Sequence, residues 1–274
     1  MRITLSDHFT YQKLLRFTMP SIIITSVYSI VDGFFVSNCV GKNAFAALNL
    51  IFPVLMALSA FGFMVGTGGS ALIAKTLGEG KRELAQRYFS MLVYTAIILG
   101  GLLSAAGFIF IRPISEALGA TGELLDHCIV YGRILFLSMT AFILQSVFHS
   151  FFIAAEKPGL SLRVSLAAGL TNIVLDYVFI AVFRWGIAGA AIATAIGEVI
   201  GGVVPILYFS RKNNSLLRLT RTRFDGRVLL KTCANGASEM VTNLSMSIVN
   251  ILYNFQLMKL AGEDGVAAYG VIMY

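Results

Sequence analysis

Polar side chains interrupt two neighbouring apolar stretches near the middle of the chain. Asn172 and Asp176 lie four residues apart in the first stretch, and Thr194 and Glu198 lie four residues apart in the second. At about 3.6 residues per turn, the members of each pair share one face of a helix. Polar groups are costly inside hydrocarbon, so their presence in a membrane span indicates a transport pathway or an ion site.

Asp32 is a third carboxylate, and we expect it at the same depth in the membrane as Asp176. Asp32 lies near the outer end of the first apolar stretch, and the helical rise puts it about 10–12 Å below the outer edge. The same arithmetic gives this depth for Asp176 and Thr194, with Asn172 one turn deeper than Asp176. We therefore expect these four side chains to approach one another. Tyr28, one turn before Asp32 on the same helix face, is placed to donate a hydrogen bond to its carboxylate.

The chemistry of this set is that of a small cation. Carboxylate, amide and hydroxyl oxygens suit a hard cation, so Asp32, Asn172, Asp176 and Thr194 are candidate ligands of Na⁺. Two close acids can instead share one proton. Glu198 shares a face with Thr194, or points into a central cavity. The plainer interpretation, a buried acid that only hydrogen-bonds a neighbouring helix, is disfavoured by the matching depth of acids on separate spans.

Composition favours an all-α polytopic membrane protein. Of the 274 residues, 57% are hydrophobic and only 13% charged, with a mean hydropathy of +0.80. Each apolar stretch has the roughly 20 residues that cross a bilayer core. The seven predicted spans are residues 17–39, 50–76, 88–111, 129–155, 160–183, 186–209 and 233–260, and the chain stops inside what resembles an eighth.

The basic residues predict the orientation. Most of the 21 Lys and Arg residues precede the first span or lie in the loops after the second, fourth and sixth spans. Because basic loops remain in the cytoplasm, we expect a multi-pass protein of the plasma membrane with a cytoplasmic N-terminus. The basic residues behind the net charge of +7 would then orient the chain in the membrane and contact anionic lipid. No nucleic-acid partner is therefore expected.

An internal repeat indicates duplication. VGKNAFAALNLI, residues 40–51, and AGEDGVAAYGVI, residues 261–272, align with identical Gly, Ala, Ala and Ile residues. Both segments join an odd-numbered span to the next, as a parallel duplication of a six-span unit predicts, giving about twelve spans in all. We expect a first six-helix lobe at residues 1–209, a basic cytoplasmic linker at 210–232, and the start of a second lobe at 233–274, the rest of that lobe being a missing partner.

The chain resembles the multidrug and toxic compound extrusion (MATE) family of transporters, in its bacterial and archaeal form. The resemblance rests on IVDGFFVSNCVGKNAFAALN around Asp32, on GTGGSALIAKTLGEGK in the second span, and on NIVLDYVFI followed by WGIAGAAIATAIGE in the fifth and sixth spans. The family's acidic site in the first lobe then falls on Tyr28, Asp32, Asn172, Asp176 and Thr194.

The resemblance implies a fold and an activity. Two six-helix lobes would surround a central cleft and alternate between inward-open and outward-open states. The expected activity is antiport, in which cationic, amphipathic drugs or metabolites leave as Na⁺ or H⁺ enters. No enzyme activity and no cofactor other than the coupling ion are implied. In the seventh span, Tyr253 stands where the repeat would place a counterpart of Asp32, so the two lobes would differ chemically.

Other functions remain as alternatives. A flippase of lipid-linked precursors, with a related architecture, would favour a cationic cavity, whereas the intramembrane charges here are acidic. An intramembrane aspartyl protease could use Asp32 and Asp176 as a proton-sharing pair, but neither acid lies in a GxGD-like setting. A seven-span receptor would need its N-terminus outside, against the distribution of basic residues.

Overall fold

The protein was analysed as a computed structural model that describes residues 11–212 and 214–273. The side chains of residues 11, 13, 14, 21, 22, 24–26, 28 and 29 lie outside this description. All the regular elements among the described residues are helices. They are α1 (Tyr11–Phe35) with a π-helical turn (Val36–Val40), α2 (Lys42–Gly78), α3 (Arg82–Ala117), α4 (Gly122–Ala154), α5 (Pro158–Asp176) with a second π-helical turn (Tyr177–Val182), α6 (Gly186–Ser210) and α7 (Gly226–Met273).

The helices agree with the predicted all-α membrane fold. Within the described residues, five helices are long and apolar enough to cross a membrane: α2, α3, α4, α6, and α5 continued through its π-helical turn to Val182. In the region of the first predicted span, the apolar helix Ile30–Val40 is shorter. α7 is not one of the five, because its middle carries polar residues such as Asn243, Asn250 and Asn254. It also begins at Gly226, inside the segment that the sequence indicated as a linker.

α2 is the central helix. It packs against α3, α4 and α7, while α4 also contacts α3 and α6, and α5 lies between α1 and α6. The core between these helices is built from large buried side chains such as Phe89, Phe136 and Phe148. Long apolar side chains on the outer faces, among them Ile98 and Leu137, are exposed, as is expected for residues that face lipid.

Two glycines allow α2 and α7 to cross with their backbones in contact. A Cβ at Gly68 of α2 would overlap the carbonyl oxygen of Thr232 in α7, and a Cβ at Gly236 of α7 would overlap the carbonyl oxygen of Met64 in α2. Small residues permit this approach, and close packing of this kind is a main source of helix association in membranes. No larger side chain fits at either position without separating the helices.

The internal repeat has a structural counterpart. Gly41 and Gly262, which align in the repeat, both have positive φ, +124° and +61°, and each separates one helical segment from the next. Asn49 and Gly270, which also align, face each other, since a Cβ at Gly270 would overlap the carboxamide of Asn49. Equivalent positions of two copies meet where the symmetry axis passes. The two copies of the predicted repeat therefore contact each other between α2 and the end of α7.

A proline in α2 leaves one backbone carbonyl of the helix without its usual donor, and a side chain of α7 donates to it instead. Pro53 has no N–H group, so the carbonyl of Asn49, one turn earlier, has no helical donor. The side-chain Nδ2 of Asn254 in α7 donates to this carbonyl oxygen at 2.8 Å. Asn254 is only 2% exposed. The polar residue that lowers the hydropathy of α7 thus satisfies a backbone group of α2.

This pairing can be tested with a double-mutant cycle. Asn254→Ala should destabilise the protein by about 0.6–1.7 kcal/mol, because it leaves the carbonyl of Asn49 unpaired in a medium without water. In a Pro53→Ala background the cost should fall, since residue 53 then supplies its own N–H. Unfolding of the protein from mixed micelles measures both values.

Asn243→Ala is the matched control for this cycle. Asn243 is also in α7, but it donates only to Glu239 of the same helix. Its cost should be equal in the two backgrounds. An equal cost for Asn254→Ala in the two backgrounds would contradict the assignment.

Candidate functional site

Three helices carry the candidate site residues. α1 supplies Asp32, the end of α5 supplies Asn172 and Asp176, and α6 supplies Thr194 and Glu198. The two aspartates share a local setting, since a π-helical turn follows each of them closely. Such turns widen the helix and recur at functional sites. Tyr28 belongs to α1, and its side chain lies outside the described part of the structure, so its predicted role stays a prediction.

A tight turn sets α5 against α6. Arg184 and Gly186 adopt the left-handed conformation, with φ of +57° and +60°, which reverses the chain over a few residues. The two helices become antiparallel neighbours. Nδ2 of Asn172 donates to Oγ1 of Thr194 at 3.4 Å, so Thr194 meets the residue one turn deeper than Asp176, although the spacing placed Asp176 at its level.

The acids of α1 and α5 lie deep in this packing. Asp176 is 0% exposed, Asn172 2% and Asp32 9%. The two carboxylates are close enough for the charge of Asp32 to act on Asp176. Two like charges in a site with little water repel each other strongly, so the ionised pair requires a compensating positive charge or a shared proton.

Four buried oxygen atoms of this set have no hydrogen-bond partner within the described residues. They are Oδ1 of Asp32, Oδ1 of Asn172, and both Oδ1 and Oδ2 of Asp176. All of them are acceptors when the acids are ionised, and unpaired buried acceptors are rare because they are costly. A proton or a cation with oxygen ligands is what would satisfy them.

A cavity of about 70 Å³ opens beside these residues. Asp32, Asn172, Thr194 and Glu198 line it, while Asp176 is not among its lining residues. A water occupies about 30 Å³ of liquid, and pockets for drug-sized ligands have about 300–1,000 Å³. The cavity therefore has room for a small ion with a water, and no room for a drug.

Several lining residues were not among the sequence-based candidates. Tyr131 and Gln145 come from α4, and Phe52 comes from α2. Ser138 of α4 donates to Oε2 of Glu198 at 2.5 Å. Gln145 was detectable, since it is a polar residue inside an apolar span. Nothing in the local sequence distinguishes Tyr131 or Ser138 from packing residues, because their role depends on which face of α4 meets α6.

The unpaired oxygens lead to a stability prediction. Because a cation or a proton would satisfy them in the folded state alone, adding Na⁺ at constant ionic strength, or acidifying a Na⁺-free buffer, should raise the melting temperature. A ligand at ten times its Kd contributes about 1.4 kcal/mol. Asp176→Asn should remove most of the response. The measurement is a thermal scan of the protein in detergent.

Glu239→Gln is the control for that scan. Glu239 is an acid of α7 that accepts from Asn243 and lies outside the cavity. Its replacement should leave the response intact. An unchanged response in Asp176→Asn, or none in the parent protein, would count against an ion site.

Comparison with known proteins identifies the family. The MatE family model matches residues 18–178, which is more than half of the chain. The chain belongs to the MATE family of transporters, as its sequence motifs predicted. The family consists of transporters rather than enzymes.

Curated relatives are multidrug exporters. The chain is 28% identical over 265 residues to the multidrug export protein MepA of Staphylococcus haemolyticus, covering 95% of this chain and 58% of the relative. It is 26% identical to MepA of Staphylococcus saprophyticus, with the same coverage. The chain thus spans a little over half the length of these relatives.

Solved structures share the fold. An inward-facing multidrug resistance MATE transporter of the MOP superfamily superposes with a TM-score of 0.84 at 25% identity, covering 92% of this chain and 60% of that one. An outward-facing conformation gives 0.82 at 25% identity, with coverage of 93% and 58%. The nearly equal scores mean that the described fold is common to both conformations.

Another solved structure of this fold carries a description of its binding pocket. A MOP superfamily transporter from Pyrococcus furiosus, described as having a binding pocket of reversed polarity and a suggested different function, superposes with a TM-score of 0.83 at 25% identity over 95% of this chain and 59% of that one.

Proposed function

We propose that the protein is a secondary transporter that exports cationic, amphipathic small molecules in exchange for inward-moving Na⁺ or H⁺. One observation carries the ion-coupling part: four buried acceptor oxygens on Asp32, Asn172 and Asp176 have no partner among the described residues. The export part follows from the MepA relatives, which are multidrug export proteins.

The ion binds at the level of the two aspartates. A cation arriving from the outside is ligated by carboxylate oxygens of Asp32 and Asp176, the amide oxygen of Asn172 and the hydroxyl of Thr194. A proton would instead be held between the two carboxylates. Either one neutralises the repulsion between α1 and α5. The π-helical turns beside both acids give these segments an alternative hydrogen-bond pattern through which they can adjust.

The drug binds elsewhere, since the 70 Å³ cavity is too small for it. A second cavity, of about 170 Å³, lies between α2 and α7 and is lined by Asn49, Asn250, Asn254 and Tyr269. Phe52 lines both cavities. If ion binding moves Phe52 in the first cavity, the shape of the second cavity, at the surface between the lobes, changes with it.

Exchange requires that the ion and the drug favour different states. If ion binding stabilises the conformation with low affinity for the drug, the drug leaves outward and the emptied protein returns to the inward-open state. Linkage makes this effect reciprocal, so a bound drug must weaken ion binding by the same factor.

The proposed topology follows from the basic loops. The protein is multi-pass in the plasma membrane, with its N-terminus in the cytoplasm. We propose residues 1–209 as the first lobe, 210–232 as a cytoplasmic linker whose last residues, from Gly226, already belong to α7, and 233–274 as the beginning of the second lobe. Membrane lipid, the remainder of that lobe and cationic small molecules are its partners.

The polarity of the cavity favours this function over the alternatives. Asp32 and Glu198 line it, and no basic side chain of the described residues does. A flippase for pyrophosphate-linked lipids would need the opposite charge. The protease alternative loses support because the relatives are transporters.

Transport by the whole protein in proteoliposomes tests the proposal. Asp32→Asn should reduce gradient-driven ethidium movement at least about tenfold, since about 1.4 kcal/mol of coupling energy corresponds to that factor. Separate Na⁺ and H⁺ gradients identify the coupling ion.

Glu239→Gln serves as the control and should transport like the parent protein. Full gradient-driven transport by Asp32→Asn at equal reconstitution would sink the mechanism. No transport by the parent under either gradient would redirect attention to lipid-linked substrates.

A further inference from the structure

The basic segment between α6 and α7 is held against α3 by hydrogen bonds. Arg82 donates through Nη2 to the carbonyl of Ser215 at 2.9 Å and through Nε to that of Leu216 at 3.2 Å. Gln86, one turn further along α3, donates to the same carbonyl of Leu216 at 3.1 Å. These bonds involve backbone carbonyls, so the course of the segment is defined independently of its own charged side chains.

Two more contacts extend the attachment. The backbone N–H of Thr220 donates to Oγ of Ser90 at 2.8 Å. The N–H of Asp225 is directed at the sulfur of Met91 at 3.2 Å. The segment from Ser215 to Asp225 therefore forms a ridge alongside the start of α3.

A cavity of about 1160 Å³ lies between this ridge and α3. Four arginines line it: Arg87 from α3, Arg221 and Arg223 from the ridge, and Arg227 from the first turn of α7. Arginines from three different elements thus line one space. Its volume is sufficient for a phosphate group with its substituents.

Among the described residues that line the cavity, positive charge exceeds negative charge. Asp225 is the one acid among its lining residues. Its Oδ1 accepts the backbone N–H groups of Arg227 at 2.9 Å and Val228 at 3.4 Å, and so caps α7. Within the described chain, none of the four arginines forms an ion pair with a carboxylate.

The chemistry that fits is a phosphate. Arginine presents parallel N–H donors in a planar fork that matches the oxygens of phosphate, and several forks can bind one such group.

The position of the cavity points to a lipid as the source of that phosphate. The cavity lies at the N-terminal end of α3, a membrane-length helix. The basic loops predict that this end of the helix is at the cytoplasmic leaflet. Phe224 on its lining is 69% exposed, and Leu230 on α7 is 72% exposed. Exposed apolar side chains beside clustered arginines are typical of a surface that meets acyl chains and anionic headgroups together.

We propose that this cavity binds the headgroup phosphate of an anionic phospholipid. Arg87 and Arg227 would hold the lipid from α3 and α7 respectively, with Arg221 and Arg223 completing the site. A lipid bound here links the first lobe to the first helix of the second lobe at the inner leaflet. The site is independent of the acidic cavity and does not rest on the proposed transport activity.

Native mass spectrometry of the protein in detergent tests this site. With phosphatidylglycerol added, Arg87→Gln/Arg223→Gln should retain at least about tenfold less lipid than the parent, because each arginine near such a headgroup contributes substantially. Retention of phosphatidylcholine should not change. Monodisperse elution verifies that the exposed substitutions leave the fold intact.

Lys212→Gln/Arg218→Gln is the charge-matched control, since these residues belong to the same segment but do not line the cavity. The control should retain phosphatidylglycerol like the parent. An equal loss in both variants would overturn the site, because it indicates a general surface attraction. Displacement of the lipid by millimolar inorganic phosphate would also overturn it, in favour of a soluble phosphate ligand.

Discussion

The crossing of α2 and α7 is the contact on which the arrangement of the two repeats depends. In a membrane, apolar side chains gain little by leaving lipid for protein, so close packing and hydrogen bonds must hold helices together. Gly68 and Gly236 supply the first, because their missing side chains let the backbones touch. Asn254 supplies the second, because it pairs with the carbonyl that Pro53 leaves without a donor. Both devices bring the second repeat against the centre of the first lobe.

The scarcity of water inside the membrane also explains the properties of the acidic site. In solution, unpaired oxygens on Asp32 and Asp176 would be hydrated, but here they are buried between α1, α5 and α6. The tight turn before Gly186 makes α5 and α6 antiparallel and brings Asn172 to Thr194. A site with four unpaired acceptor oxygens among the described residues is well suited to a small cation or a proton, and its 70 Å³ cavity excludes anything larger. Under the proposed function, the ion would bind inside the lobe and the larger substrate at the surface where the repeats meet.

The basic segment after α6 was interpreted from its charge alone as a linker. The structure gives it a defined course, because Arg82, Gln86 and Ser90 of α3 bind its backbone. Two of its arginines, Arg221 and Arg223, then line a cavity at the surface of the protein. Charge that serves to orient a chain in the membrane can therefore also form a binding site, provided that the backbone carrying it is held in place.

Local patterns in the sequence indicated the apolar helices, the expected depth of Asp32 and Asp176, the short turn between α5 and α6, and the repeat that aligns Gly41 with Gly262. Each of these depends on spacing along one helix or across one turn, which the chain order sets directly. Tertiary structure alone decided that Ser138 donates to Glu198, that Tyr131 lines the ion cavity and that Asn254 reaches Asn49. These contacts depend on which helix faces meet and at what rotation. That is settled by the packing of all the helices together, and no segment carries it by itself.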